Sequence, residues 1–247
     1  MIIGYIVMFF LAIILGQIVA HLNVKLPPVV SEEITYKEFF KTLKKGFKID
    51  IKYSVILLCI FEVIMLHLGN TYISYVYAIL VATLTIVFYI DYKFQLIPDE
   101  AHIVIVILAI INLLFNLSLW KSYLFGAIIG GGIFYVISLL SLVIFKKEGM
   151  GFGDVKLMAS LGLLFGIKNI LVITLVSFFL GAIIGSILMI LNRKKASSYI
   201  AFGPFIVISI ILVIFVKPDY IINLYILLCT SLSTFVTDII FNLSKLV

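Results

Sequence analysis

The sequence predicts an all-α integral membrane protein that crosses the bilayer many times. Of its 247 residues, 64% are hydrophobic and only 12% are charged, and the mean hydropathy is +1.30. Soluble domains carry about 25% charged residues. A soluble core of this size could not bury so much apolar surface, so lipid must solvate most of the chain.

Apolar runs divide the chain into segments long enough to span, or nearly span, a bilayer at about 20 residues per crossing. The sixth run is short and contains Gly162 and Gly166, so it could tilt, re-enter or merge with the next run. We therefore expect eight or nine transmembrane helices in one membrane-embedded domain, residues 1–247. The runs lie at residues 2–20, 53–69, 72–90, 102–119, 123–145, 157–167, 169–191, 203–217 and 220–241.

The basic residues predict which side of the membrane each loop faces. With nine spans, loops on one side hold fifteen of the 18 Lys and Arg residues, and the other side holds only Lys121, Lys168 and Lys217. Cytoplasmic loops are the ones enriched in Lys and Arg, so the first side is expected to be cytoplasmic, in the inner cell membrane. The basic segment 21–52 lies on this side and is expected to rest on anionic lipid headgroups. Since the charges are spread over loops, nucleic-acid binding is not expected.

Two carboxylates stand where an apolar run meets a short loop. Asp91 ends Phe88-Tyr89-Ile90-Asp91, and Asp154 ends Gly151-Phe152-Gly153-Asp154. An ionisable residue at the edge of the hydrocarbon is costly and indicates function by default. The charge pattern places both on the cytoplasmic face but on different helices, so they could meet as an aspartyl catalytic dyad.

Such a dyad has a defined chemistry. One carboxylate acts as general base toward water while the other, protonated, polarises the scissile carbonyl, and two adjacent carboxyl groups share a proton. Gly149, Gly151 and Gly153 precede Asp154 and leave a backbone without Cβ atoms, which can take positive φ and closely approach another chain. The alternative is a flexible turn between helices.

Together, these motifs resemble the type IV prepilin peptidases, membrane aspartyl proteases with a Gly-x-Gly-Asp signature. The matching residues are Asp91, the downstream Ile97-Pro98-Asp99, and the run from Gly151 to Leu157. Ala201-Phe202-Gly203-Pro204-Phe205 is similar to the family's late Pro-Phe-Gly-Pro-Phe element, with Ala for the first Pro. The resemblance covers about residues 72 to 217.

The resemblance implies that Asp91 and Asp154 are catalytic and remove the short basic leader of prepilins or pseudopilins, after a Gly, at the cytoplasmic face. Gly151, Gly153, Asp99 and Lys156 would bind substrate or support the loops. From the residues alone, Asp99 suits a helix N-terminus and Lys156 suits a snorkelling position at a helix start.

The first loop departs from the family pattern. Many bacterial members carry two Cys-x-x-Cys pairs there and methylate the new N-terminus with S-adenosylmethionine. Residues 21–52 contain no cysteine, so we expect no metal site. S-adenosylmethionine would be a cofactor only if a methyltransferase activity is retained.

Three alternatives stay open at this stage. One is an archaeal-type preflagellin peptidase, which differs mainly in its substrate. Another is a presenilin-like intramembrane protease, which would need a Pro-Ala-Leu element where this chain has Phe202-Gly203-Pro204. The third is a small secondary transporter with Glu62 or Asp238 as its ion site, although no pair of broken helices recurs in two halves as inverted repeats require.

Overall fold

The structure is a computed structural model that describes residues 2–25, 51–146, 149–191 and 201–244. It is all-α, with no strand among those residues. A 3₁₀ helix, Leu117–Leu119, precedes the fifth α-helix. The eight α-helices are α1 (Ile2–Lys25), α2 (Ile51–Leu68), α3 (Tyr72–Phe94), α4 (Asp99–Phe115), α5 (Trp120–Phe145), α6 (Phe152–Ile190), α7 (Gly203–Phe215) and α8 (Pro218–Ser244).

The predicted fold class is confirmed, but the count of eight or nine spans is not. Within the described residues, five helices are long and apolar enough to cross a membrane, or six if α7 and the bent start of α8 form one span. The axes of that pair differ by 111°. The predicted runs 157–167 and 169–191 fall in one element, α6, and the run predicted at 102–119 is the shorter helix α4.

Helix α3 is the centre of the bundle. Of its most apolar 18 residues, 56% are buried, against 17–33% in the other candidate spans. Leu80, Leu84 and Val87 form a fully buried stripe at helical spacing. Because α3 packs against α1, α2, α4 and α7, a polar group at its end is surrounded by protein rather than lipid.

Glycines let α5 and α6 approach until their backbones touch. A Cβ added at Gly126 would overlap the carbonyl oxygen of Gly162, and one added at Gly162 would overlap that of Gly126. Small residues are the usual means of close helix packing in lipid, where the hydrophobic effect does not drive helices together.

Helix α6 is broken at Gly166, whose φ of 76° and ψ of 177° are not helical. Gly130 of α5 lies against Met158 before the break and Ile170 after it. Phe134, one turn further along α5, stacks on Phe178. The second part of α6 therefore runs back along α5 toward the end where α6 began, and the two predicted apolar runs lie on either side of this break.

Two other expectations concern the basic segment 21–52 and the two acids that lie within apolar runs. The basic segment predicted at 21–52 lies mostly outside the described residues, although α1 continues to Lys25 and α2 begins at Ile51. Asp238 lies on α8, while Glu62 is half-buried on α2.

Substituting Gly126 by Ala should destabilise the protein, because the added methyl group forces α5 away from α6. Overpacking of this kind costs about 1–3 kcal/mol. Gly132→Ala is the matched control on the same helix, since its Cβ would meet nothing within 4 Å. Thermal unfolding in detergent should show a lower midpoint for Gly126→Ala only. Equal midpoints for the two variants would contradict the close packing.

Candidate active site

Four helix ends meet at one end of the bundle. Asp91 lies in the last turn of α3, and Asp99 begins α4 after a four-residue loop. Asp154 lies in the first turn of α6, and Gly203 begins α7. Each of these four residues lies within one turn of a helix end, so a helix fixes its position.

Asp91 is held by a backbone donor from a distant part of the chain. Its side chain is 5% exposed, and its Oδ2 accepts a hydrogen bond of 2.8 Å from the Gly203 N–H. That N–H is one of the donors that an α-helix leaves free at its N-terminus, where the helix dipole also favours a negative charge. The first residue of α7 thus supplies a fixed partner for a carboxylate on α3.

Only glycine fits beside Asp91 at this position. A Cβ on Gly203 would lie 2.6 Å from Asp91 Oδ2 and 3.1 Å from its Cγ. Real Cβ atoms do not approach so closely, so a side chain here would displace the carboxylate or α7. The preceding residue, Phe202, contacts the rings of Phe134, Phe178 and Phe205, and this aromatic cluster anchors the start of α7.

Asp154 is buried as well, at 8% exposure. Its Oδ1 is buried and has no hydrogen-bond partner among the described residues. A buried carboxylate oxygen without a partner is unusual, because desolvation without compensation is costly. This oxygen is therefore available for a substrate, a water or a shared proton.

The two carboxyl groups are close enough to interact electrostatically. The sequence predicted this proximity from the shared face, and the structure places both groups in the same buried site. They lie 63 positions apart in the chain, on helices that are both packed against α7.

A salt bridge joins the two motif loops. Lys156 Nζ donates a hydrogen bond of 2.8 Å to Asp99 Oδ1, and the same ammonium lies 5.6 Å from the centre of the Phe152 ring. Asp99 is the first residue of α4 and follows Pro98 at the N-cap position, so it lies at a helix N-terminus, where an acid is favoured by the helix dipole. Lys156 is paired rather than simply extended to solvent.

Gly151 and Gly153 have different roles. A Cβ on Gly153 would lie 3.1 Å from Cβ of Ile97, so the backbone there packs directly on the loop after Asp91. A Cβ on Gly151 would make only an ordinary contact, 3.5 Å from Asp154 Oδ2. Neither Gly151 nor Gly153 uses the positive φ that glycine permits, since of the described glycines only Gly69 and Gly166 have a positive φ.

Three residues of this end were not singled out as site residues from the sequence. The Gly203 donor is a backbone group, so only its place in Phe202-Gly203-Pro204 marked it. His102 is buried and lies 3.9 Å from Asp99. Glu100, next to Asp99, has two buried carboxylate oxygens. The only sign of it in the sequence was a second acid directly after Asp99 at the predicted helix start. No cluster able to hold a metal occurs in the part of the chain that the structure describes.

Comparison with known proteins points to one family. Residues 78–186, which include both aspartates and the salt bridge, match the type IV leader peptidase family. Over this segment the chain is similar to the type IV leader peptidases. The matched segment of the chain begins on α3 and ends within the second part of α6.

Several curated relatives carry the description prepilin leader peptidase/N-methyltransferase. The protein from Xanthomonas campestris pv. campestris is 36% identical over 121 residues, covering 49% of this chain and 42% of the relative. That from Pseudomonas aeruginosa is 33% identical over 144 residues, covering 58% and 50%. That from Neisseria gonorrhoeae is 31% identical over 169 residues, covering 66% and 57%. The chain thus spans about half the length of the relatives it matches. No solved structure matches it.

The Asp99–Lys156 pair should contribute modestly to stability, with a defined dependence on pH. The Lys156 hydrogen bond holds the pKa of Asp99 below its usual value. The contribution is therefore fully present above the usual Asp pKa and is lost as pH falls through the lowered pKa. A double-mutant cycle with Asp99→Asn and Lys156→Met should give a coupling of about 0.2–1 kcal/mol at neutral pH.

Thermal unfolding at neutral and acidic pH checks this. The difference in unfolding midpoint between the wild type and Asp99→Asn should become smaller in acid. Asp219→Asn, which removes the acid of the exposed Lys168–Asp219 pair (2.6 Å), is the comparison at another surface salt bridge. Strictly additive effects of the two substitutions at neutral pH would show that the pair does not couple the loops.

Proposed function

We propose that this protein is a membrane aspartyl endopeptidase that removes the basic leader of type IV prepilins or pseudopilins, after a Gly, at the cytoplasmic face of the inner membrane. One observation carries the proposal: two carboxylates from the matched motifs, Asp91 and Asp154, are buried together at one end of a helical membrane bundle. The match of residues 78–186 to the type IV leader peptidase family and the names of the relatives support this reaction class.

The two carboxyl groups are not equivalent, which suits general acid–base catalysis. The Gly203 N–H donates to Asp91, and a donor of this kind stabilises the ionised form. Asp91 is thus the general base that activates water. Asp154 also has a backbone donor, at Gly151, but it is repelled by Asp91, and its buried Oδ1 has no partner among the described residues. Asp154 therefore carries the shared proton and polarises the peptide carbonyl.

The distribution of charge supports a cytoplasmic site. The segments that join helices at the end bearing the aspartates include 26–50 and 191–202, which contain five Lys and the Arg193-Lys194-Lys195 run. By the positive-inside rule, this end faces the cytoplasm. A prepilin leader is basic and cytoplasmic before cleavage in the family that the motifs resemble, so the substrate and the site would meet on the same side.

The proposal is limited to peptide cleavage. The relatives are named as N-methyltransferases as well as leader peptidases, but the chain aligns with about half of each. The first loop lacks the cysteines of many methylating members. Any metal or S-adenosylmethionine site therefore stays outside the proposed activity.

Replacing either Asp91 or Asp154 with Asn should abolish leader cleavage, because each carboxyl group has a separate proton-transfer role. Loss of a general acid or base lowers rates by about 10²–10⁴-fold. Membranes containing each variant would be incubated with a panel of leader-bearing prepilin reporters, and cleavage followed by gel shift and mass analysis of the new N-terminus.

Two matched controls accompany this experiment. Asp219→Asn changes an exposed, salt-bridged acid, and Glu62→Gln changes the half-buried acid that a transporter would use. Both should cleave like the wild type. Retained cleavage in Asp91→Asn or Asp154→Asn, with normal expression, would refute the dyad.

Gly203→Ala should also impair cleavage, since its methyl group would displace Asp91 from its donor. A shift of about 1 Å in a catalytic group can cost about 100-fold in rate. Steady-state cleavage should show a fall in kcat at nearly unchanged protein level, whereas Gly132→Ala, with open space around its Cβ, should leave kcat unchanged. Wild-type kcat in Gly203→Ala would mean that this contact does not position Asp91.

A further inference from the structure

The backbone groups on either side of the break at Gly166 are bonded by side chains of other helices. A helix that ends leaves its last carbonyls without partners, and a helix that begins leaves its first N–H groups without partners. Before the break, the Leu164 carbonyl accepts a hydrogen bond of 3.1 Å from Asn112 Nδ2 of α4. After it, the Ile167 N–H donates to Ser122 Oγ of α5 over 3.3 Å. Side chains from α4 and α5 thus hold the two sides of the break.

Asn112 is fixed in one orientation by its other partners. It is 5% exposed, and its Oδ1 accepts hydrogen bonds from Tyr72 of α3 (3.2 Å) and from Asn116 at the end of α4 (3.1 Å). Since an amide oxygen accepts and an amide nitrogen donates, these two donors direct Nδ2 toward Leu164. Asn112 therefore joins α3, α4 and the first part of α6 at the end of the bundle opposite the aspartates.

Helix α4 is also bonded to α6 at its other end. Asp99, the first residue of α4, accepts the hydrogen bond from Lys156, which lies two positions after Asp154. The part of α6 that carries Asp154 is thus bonded to α4 twice, by Lys156 near its start and by the Leu164 carbonyl just before the break. These two bonds fix its direction in the bundle as far as Gly166.

Beyond the break, the second part of α6 determines where α7 begins. Ser177 of this part bonds Ser209 of α7, with 3.0 Å between the two hydroxyl oxygens, and both residues are fully buried. Phe178, the next residue, contacts Phe202, which directly precedes Gly203. The angle of α6 at the break therefore determines whether the Gly203 N–H reaches the active site.

We propose that Asn112 is a positioning residue for leader cleavage, because it fixes the angle of α6 at Gly166 and so holds Asp154 and the backbone donor of Asp91 in their relative positions. Asn112 does not contact substrate, and its catalytic role rests on the proposed function. Its bond to the Leu164 carbonyl is buried, and a buried carbonyl without a partner is costly. Loss of the amide would therefore favour a different angle at the break.

The first test is steady-state cleavage of a leader-bearing prepilin reporter by Asn112→Leu, whose side chain has a similar branched shape but cannot bond the Leu164 carbonyl. kcat should fall about tenfold at nearly unchanged KM, because a displacement of about 1 Å in a catalytic group can cost about 100-fold. The profile of kcat against pH should also change its width, since its two limbs report two carboxyl groups that share a proton. A purely structural role would lower the amount of folded enzyme and leave the shape of this profile unchanged.

Two further variants accompany Asn112→Leu. Ser122→Ala removes the partner of the Ile167 N–H and should lower kcat in the same direction, which keeps the inference testable if Asn112→Leu does not fold. Ser74→Ala is the matched control, because Ser74 is fully buried at the same end of the bundle and donates to the Gly69 carbonyl (2.6 Å). Its bond joins α3 only to the loop before it, so kcat and the pH profile should stay as in the wild type.

A distance measurement tests the break without any cleavage. Spin labels are attached at Ile51→Cys on α2 and Ile190→Cys at the end of α6, two exposed positions, after the exposed Cys59 and Cys229 are replaced by Ala. Asn112→Leu should shift the distance between the labels, because the second part of α6 changes its angle. The control variant should leave the distance unchanged.

The outcomes separate this inference from the proposed function. If the wild type cleaves and Asp91→Asn does not, but Asn112→Leu and Ser122→Ala keep the wild-type kcat and pH profile, the positioning role is wrong while the peptidase stands. An unchanged label distance in Asn112→Leu would also overturn it. If the wild type cleaves no leader, the proposed function is wrong and the catalytic part of this inference with it, and the label distances then still test whether Asn112 fixes the break.

Discussion

The hydrogen bond from Gly203 to Asp91 constrains the rest of the molecule. It requires a carboxylate at the end of the most buried helix, a free N–H at the start of another, and a residue without a side chain between them. To bring α7 to that point, the second part of α6 must return along α5, which the break at Gly166 permits. The aromatic cluster around Phe202 then fixes the start of α7. The packing of four helices is thus tied to the position of one oxygen atom.

The site combines burial with incomplete satisfaction of its polar groups. Asp91 has one firm donor, while Asp154 Oδ1 and both Glu100 oxygens are buried without partners among the described residues. A bundle selected for stability alone would avoid such groups, because each carries a desolvation cost. They are tolerated on a rigid scaffold whose core is otherwise aliphatic. A stable core and an unsatisfied site at one end are typical of proteins that reserve polar groups for a substrate.

The sequence was sufficient to locate Asp91 and Asp154, because a carboxylate at the edge of a long apolar run stands out against its surroundings. It also predicted the all-α membrane fold from composition. It could not fix the number of spans, since it marked the short run with Gly162 and Gly166 but left open whether that run tilts, re-enters or merges with the next; the structure shows a break in α6 at Gly166. The bond between Lys156 and Asp99 was also beyond reach: each residue suits a helix start on its own, and the 57 positions between them carry no sign of the pairing. Backbone donors such as the Gly203 N–H leave no mark in a side-chain pattern.

The separation of Asp91 from its donor has a consequence for biosynthesis. The two residues are 112 positions apart, and a chain is made and inserted from its N-terminus. When α3 enters the membrane, Asp91 has no Gly203 to bind, and Asp154 has not yet been synthesised. The contact that holds Asp91 is therefore completed only when α7 arrives, by which time most of the bundle is already in place. If the proposed peptidase activity is present, late completion of this contact would leave the Asp91 carboxylate without its backbone donor while the earlier helices insert.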